Sequence, residues 1–208
     1  MRSEVVIVAR RDRSPRLECS GGIAARRTGP DTVHLVSAAA TPLGGDTIHL
    51  RVVVEPGARL RVRTAAATVT LPGAACVESH ASWCLDVAGT LDLDPQPTIV
   101  AGTSRHLAST RLNLSAGGSV RLRERVQIGR TGEHQGFWSG SLHADVDGRA
   151  LLRHRVELGA GSVADDAIAA PLACVSEFHY PCADVTTGGV TLALAGGGSL
   201  TTWQGQRL

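Results

Sequence analysis

The densest group of metal-binding residue types lies in the segment CVSEFHYPC, which contains Cys174, Glu177, His179 and Cys182. Thiolate and imidazole side chains are ligands that nickel and zinc favour. In an extended strand, however, Cys174 and His179 point to opposite faces, and Pro181 ends the strand before Cys182. The segment therefore favours buried structural cysteines over a metal site, and it assigns no functional role to Cys174, His179 or Cys182.

Glu124 is the most informative single residue, because it occupies an apolar-face position between Leu122 and Val126. An ionised carboxylate at such a position is costly unless an arginine or several hydrogen-bond donors meet it. The pattern predicts a structural ion pair. The alternative is that Glu124 provides the polar lining of an internal channel.

A glycine-rich turn carries the next candidate carboxylate. Asp46 follows Gly44 and Gly45 just before a strand pattern. In such a turn the glycines supply positive φ angles and the aspartate accepts hydrogen bonds from nearby backbone. We interpret Asp46 as a turn residue, and the alternative is an exposed carboxylate aimed at a partner or a cation.

The remaining chemistry-bearing residues form no catalytic arrangement. The histidines include His106, His134, His143 and His154, which are scattered without HxH or HExxH spacing, and we interpret them as ordinary histidines. The 21 basic residues are all arginine. This absence of lysine excludes a Walker lysine and a Schiff-base lysine.

The strands that must position these residues have one apolar face and one cationic face. In TIHLRVVVEPGARLRVRT the apolar residues recur with a period of two, which is typical of a β-strand. The apolar set is Ile48, Leu50, Val52, Val54, Leu60 and Val62, and the opposite set includes His49, Arg51, Glu55, Arg59, Arg61 and Arg63. Guanidinium groups on such a face are suited to bidentate pairing with protein carboxylates, and a solvated face is the alternative.

The parity of the apolar positions is kept across each glycine turn. The pattern recurs in LDVAGTLDLD, LNLSAGGSVRLRERVQI and TLALAGGGSLTT, whereas VELGAGSVADD breaks it. A two-residue hairpin would turn the two apolar faces apart. We therefore predict either three-residue loops or corners at which the chain passes into a neighbouring sheet.

These patterns predict an all-β fold over residues 1–208, organised as a single domain with at most one or two short helices. The sheets are expected to be stacked or coiled into a β-helix-like scaffold. The best helical candidate is residues 165–178, although the same segment suits a strand equally well. Residues 14–30, which are rich in Gly, Pro and Arg, are predicted to form a flexible loop.

The composition limits the classes of partner and location. A net charge of +2 and an aromatic content of 3% argue against nucleic-acid binding. Five cysteines without a CxxC pair argue against a disulfide framework and favour a reducing compartment. The opening apolar run VVIVA is too short for a signal sequence or a membrane span. We therefore expect a soluble cytoplasmic protein that does not contact membranes.

Several motifs, taken in their order along the chain, resemble the urease accessory protein D family, also called UreD or UreH. They are DTVHLVSAAATPLGGD, VVEPGARLRVRTAAAT and PQPTIVAGTSRHLASTRLNLSAGGSVRLRERVQIGRTGE, within residues 31–148. In the last motif the matching residues are Glu124, Gly129, Arg130, Gly132 and Glu133. Each motif is weak by itself, but their common order makes the resemblance specific.

The resemblance implies a non-enzymatic urease maturation factor with no permanently bound cofactor and with nickel in transit. The implied partners are apo-urease, a helical accessory protein of the UreF type and a nickel-carrying GTPase of the UreG type. We predict that Asp46, Glu124 and Glu133 line a nickel passage and that Arg59, Arg61, Arg63 and Arg130 contact partners.

One alternative function is that of a metal-dependent enzyme on a cupin-like β-barrel, which needs histidines and a carboxylate at one centre. A carbohydrate- or protein-binding β-module is the other.

Overall fold

The computed structural model describes residues 1–115, 117–163, 165, 170–183 and 188–208. Within them the chain forms strands and no helix, which confirms the all-β prediction. None of the described residues belongs to a helix long and apolar enough to cross a membrane. The strands are β1 Arg2–Arg10, β2 Arg13–Ser20, β3 Ile23–Arg27, β4 Thr32–Ser37, β5 Thr47–Val54, β6 Arg59–Thr64, β7 Thr68–Thr70, β8 Glu78–Val87, β9 Thr90–Leu93, β10 Thr98–Val100, β11 Arg105–Leu114, β12 Ser119–Ile128, β13 Phe137–Val146, β14 Arg149–Gly159, β15 Ala173–Tyr180, β16 Val190–Ala193 and β17 Ser199–Gly205.

The strands form two sheets that the chain enters alternately. Sheet A has the order β14-β13-β11-β8-β5-β1-β2, and sheet B has the order β16-β17-β15-β12-β9-β6-β4-β3, with β7 paired to β10 and β10 to β12. Strands β5, β8, β11 and β13 are parallel in sheet A, and β6, β9 and β12 are parallel in sheet B. Parallel neighbours need a crossover. Here the crossover is the strand in the other sheet, so the chain winds in stacked, solenoid-like coils, as predicted.

The corners between the sheets explain why the apolar positions keep the same parity across a glycine turn. β5 ends at Val54 in sheet A and β6 begins at Arg59 in sheet B, with a left-handed Gly57 (φ 75°) between them. The steps from β8 to β9 and from β11 to β12 also change sheet. Of the two predicted turns, the sheet-to-sheet corner is therefore correct at these three places. The segment TLALAGGGSLTT differs, because β16 and β17 form an antiparallel hairpin in which Leu192 faces Leu200.

The space between the sheets is filled by two aliphatic clusters. The larger one contains Leu112, Leu122, Leu142 and Phe178. The smaller one includes Val126, Trp138, Val156, Leu158 and Cys174. Burial of each Leu or Val side chain contributes roughly 1.5–3 kcal/mol to folding.

Residues 14–30 do not form the predicted flexible loop. They lie mostly in β2, which pairs antiparallel with β1, and in β3, which pairs antiparallel with β4. The prediction was wrong because both strands place most of their side chains on exposed positions, while the few inward ones, such as Leu17 and Ala25, pack on the core. The helical candidate, residues 165–178, is also corrected in part: its residues 173–178 lie in β15, and its residues 166–169 lie outside the described residues.

Candidate functional site

A polar layer separates the two aliphatic clusters. On β12 Leu122 belongs to the larger cluster and Val126 to the smaller one, and Glu124 lies between them. The same alternation places Ser176 between Phe178 and Cys174 on β15. The strand registers extend the layer across both sheets: Glu124 pairs with Ser176 and Ser176 with Thr202 in sheet B, while Thr110, Leu142 and His154 share a row in sheet A.

A break in sheet B opens space beside this layer. Along one edge of β12, Ser119–Leu122 pair with β9 and Val126–Ile128 pair with β10. β9 ends at Leu93 and β10 begins at Thr98. Glu124 therefore lies where the neighbouring strand is interrupted by an irregular segment that contains Pro95 and Pro97. Proline cannot donate to the sheet ladder, so this segment is well suited to interrupt it.

Three consecutive cavities and an open groove follow the polar layer between the sheets. The first chamber, about 250 Å³, lies near Ile48 and Trp83, and the second chamber, about 60 Å³, lies at the break in sheet B. The third chamber, about 10 Å³, lies between Glu124 and His154. The groove, about 950 Å³, runs along β14, β16 and β17 and includes the exposed Val190. Neighbouring chambers share wall residues, so they form one row.

Glu124 is enclosed by this row of cavities and has no charged partner. It lines both the second and the third chamber. In the described part of the chain, no side chain forms an ion pair with its carboxylate and no group donates a hydrogen bond to it. The prediction of a structural ion pair is therefore wrong. Burial raises the pKa of Glu124 to about 7, because the charged form loses hydration without gaining a counter-charge.

Two inward histidines accompany Glu124, and both were interpreted as ordinary from the sequence. His106 Nδ1 lies 2.9 Å from the Ser79 hydroxyl, and burial, together with the nearby His80, lowers the pKa of His106 to about 4. His154 has a buried Nε2 atom without a hydrogen-bond partner among the described residues, and burial lowers its pKa. Both rings are thus neutral near pH 7. Strand parity was the missed signal, because His106 and His154 share it with the buried Leu112 and Val156.

Asp46 lies in the predicted turn and not in the walls of the chambers. Its carboxylate accepts hydrogen bonds from Leu43 N (2.8 Å) and the Thr41 hydroxyl (2.9 Å) and contacts the Met1 amino group. Burial by itself would raise the pKa of Asp46, but these hydrogen bonds outweigh it and lower the pKa. The turn interpretation is confirmed, and Gly45 supplies the positive φ of 90°.

Glu133 is also separate from the chambers. It accepts hydrogen bonds from Gly102 N (2.8 Å) and Arg130 N (3.1 Å) and pairs with the Arg130 guanidinium. These contacts lower the pKa of Glu133 to about 2, with the Arg130 side chain as the largest cause. Of the three carboxylates predicted to line a passage, the structure places only Glu124 in the row of cavities.

The segment CVSEFHYPC is divided between two faces, as its strand pattern predicted. Cys174 is buried on the inner face of β15, and burial raises the pKa of its thiol to about 11. His179 lies 2.9 Å from Glu177 on the outer face, and Cys182 is exposed beyond the strand. Across the described ranges, no three His, Cys, Asp or Glu side chains are placed to hold one metal ion. The metalloenzyme alternative therefore gains no support.

The arginine rows lie on the outer face of sheet B, where some are paired and others are free. Arg63 pairs with Asp92, and Arg121 bridges Asp92 (3.4 Å), Asp94 (3.4 Å) and Glu177 (2.7 Å). We call these cross-strand pairs the ion-pair ladder. Arg59 and Arg61 are exposed beside it, and neither side chain forms an ion pair with any residue that the structure describes. Arg130 is engaged with Glu133 at a separate turn.

The sequence of this chain is similar to those of proteins from one described family. The family described as UreD urease accessory protein matches residues 9–195. The chain is 38% identical to urease accessory protein UreD 1 of Saccharopolyspora erythraea over 191 residues, which cover 87% of this chain and 74% of that relative. It is 41% identical to UreD of Streptomyces avermitilis over 154 residues (71% and 61%), and 46% identical to UreD of Frankia alni over 121 residues (57% and 41%). These matches therefore span between 41% and 74% of the relatives' length.

Proposed function

Because this chain belongs to the UreD urease accessory protein family, we propose that it is a non-catalytic scaffold required for GTP-dependent insertion of nickel into apo-urease. The observation that carries this proposal is the family match over residues 9–195. The relatives share the name of urease accessory proteins. A chain without lysine lacks the P-loop lysine of a GTPase, so the GTP is hydrolysed by another protein.

The proposed partners are apo-urease, a helical accessory protein of the UreF type and a nickel-carrying GTPase of the UreG type, which meet in the cytoplasm. The scaffold binds apo-urease and the helical protein, and the helical protein brings the GTPase. The outer face of sheet B supports this role, because Arg59 and Arg61 are exposed beside the ion-pair ladder and form no ion pair with a described residue, so their guanidinium groups can meet carboxylates of a partner.

The row of cavities is proposed to be the internal route for nickel. A divalent cation crosses an apolar layer at high cost unless polar groups replace its hydration shell. The chambers supply such groups, because they are lined by Glu124 and by Ser and Thr hydroxyls between the two aliphatic clusters. Asp46 and Glu133 lie at turns outside these chambers, where backbone N–H groups donate hydrogen bonds to their carboxylates.

Co-purification tests the scaffold role. A tagged chain expressed with apo-urease and the accessory proteins is expected to retain them, and failure to retain any of them would reject the proposal. Replacing Arg59 and Arg61 together by alanine is expected to weaken retention of one partner at least tenfold. Arg51→Ala is the matched control, because Arg51 is an exposed arginine on the outer face of sheet A. Weaker retention with Arg51→Ala alone would reject the assignment of the surface.

Delivery of nickel tests the route separately. Glu124→Gln keeps the shape of the side chain and removes its charge. It is expected to lower the nickel content of urease while the complex stays intact. If the complex dissociates instead, Glu124 has a structural role and the route is wrong.

A further inference from the structure

One metal-binding side chain lies at each boundary in the row of cavities. His154 lines both the groove and the third chamber. Glu124 lines both the third and the second chamber. His106 lines both the second and the first chamber. The remaining walls at these boundaries include apolar side chains such as Val156 and Trp83.

Each of these three side chains has a polar atom without a hydrogen-bond partner among the described residues. His154 Nε2 is buried and has no hydrogen-bond partner in the described structure. Glu124 likewise accepts no hydrogen bond from any described residue. His106 uses its Nδ1 atom: the Ser79 hydroxyl lies 2.9 Å from it and donates to the Arg105 carbonyl at 3.5 Å. The Nε2 atom of His106 has no hydrogen-bond partner among the described residues, and a ring with its proton on Nδ1 presents the Nε2 lone pair to a metal ion.

An ordinary structural role does not account for this pattern. Buried polar groups in folded proteins are nearly always hydrogen-bonded, and an unsatisfied one lowers stability. Here the buried Nε2 atom of His154 is left unpaired, and Glu124 in the same polar layer has no hydrogen-bond partner among the described residues. Leu142, which shares the row of Thr110 and His154, shows that the layer accepts an aliphatic residue.

We infer that His154, Glu124 and His106 are successive ligands for a first-row divalent cation, one at each boundary between the groove and the three chambers. This inference rests on the proposed function, in which nickel is the cargo. The two imidazole ligands favour nickel or zinc over magnesium and calcium, which prefer oxygen ligands. One or two protein ligands at each position hold the ion weakly, and weak binding at several sites is what allows an ion to enter and to leave.

Equilibrium dialysis of the purified chain against Ni²⁺ tests the inference directly. Each of His154→Gln, Glu124→Gln and His106→Gln is expected to weaken nickel binding at its own position at least about tenfold, the scale seen when the environment of a metal site is disturbed. His143→Gln is the matched control, because His143 is exposed on the outer face of β13. Nickel isotherms of all three variants that coincide with wild type, or a loss confined to His143→Gln, would overturn the inference.

A second measurement needs no variant and covers the case in which a substitution prevents folding. Crystals of the wild-type chain soaked in Ni²⁺ are expected to show anomalous scattering peaks between the sheets, next to His154 Nε2 and Glu124. Peaks at surface histidines alone would overturn the inference. Co-purification with apo-urease, measured on wild type and on the same variants, separates the two proposals. If the wild-type chain does not co-purify with apo-urease, the proposed function is rejected. If wild type and variants all co-purify and the variants bind nickel as wild type does, only the assignment of the three ligands is rejected.

Discussion

Replacing Glu124 by glutamine is expected to stabilise the protein above pH 7 and to leave it unchanged in acid. Burial raises the pKa of Glu124 from 4.5 to about 7. Between these pH values the folded protein keeps a proton that the unfolded chain releases. By linkage, the contribution of this carboxyl to the free energy of unfolding is fully present below pH 4.5 and is lost as the pH rises to about 7.

The size of the effect follows from the two pKa values. Each tenfold change in proton affinity is worth about 1.4 kcal/mol, so the wild type loses up to about 3 kcal/mol of stability between pH 4.5 and 7. This loss is comparable to the gain from burying one leucine side chain, roughly 1.5–3 kcal/mol. It is an upper value, because the second chamber, about 60 Å³, has room for water that would hydrate the carboxylate.

The assay is denaturant unfolding of wild type and Glu124→Gln at several pH values from 4.5 to 8. The difference in unfolding free energy is expected to be near zero at the acid end and to grow in favour of the variant up to pH 7. Glu18→Gln, at an exposed carboxyl on β2, is the control and is expected to follow the wild type. A Glu124→Gln protein that is less stable than wild type at pH 8 would refute the reasoning, because it would mean that the fold stabilises the ionised carboxylate.

Three further outcomes follow from the contacts. Glu177→Gln is expected to destabilise the chain by roughly 1.5 kcal/mol in urea unfolding, because it removes the closest carboxylate partner of Arg121, which keeps Asp92 and Asp94; a loss below about 0.5 kcal/mol would show that the ladder is merely a surface feature. Gly89→Ala is expected to lower Tm and cost about 1–3 kcal/mol, since the new Cβ would lie 2.3 Å from the Ala58 carbonyl oxygen, and an unchanged Tm would contradict this corner geometry. Iodoacetamide is expected to alkylate the exposed thiols of the folded protein well before the buried Cys174, as read by peptide mass spectrometry, and early labelling of Cys174 would contradict its burial and its raised pKa.

The winding of the chain explains how a scaffold and an internal route coexist in one molecule. Each coil contributes one strand to sheet A and one to sheet B, so the inward residues of successive coils form continuous layers. Where those residues are Leu and Val, the layer is closely packed. Where Glu124, Ser176 and His154 replace them, the layer becomes polar and cavities remain.

The sequence by itself determined the strands and their inward faces, because a period of two and conserved parity across glycine turns leave few other arrangements. It also determined that Cys174 and His179 point apart. The predicted loop over residues 14–30 was wrong, because an edge strand with outward arginines and a disordered segment have similar compositions. Their order depends on antiparallel pairing with the neighbouring strands β1 and β4, whose inward side chains pack on the core, and the composition of residues 14–30 alone does not reveal that pairing.

Only the tertiary structure decided what Glu124 contacts. An inward carboxylate on one strand is paired or unpaired according to residues on the opposite sheet, and the winding of the chain decides which residues those are. Here the opposing row carries Thr110 and His154 and no arginine. The same register that stacks the leucines into a core therefore leaves one acidic and two imidazole side chains along a row of cavities.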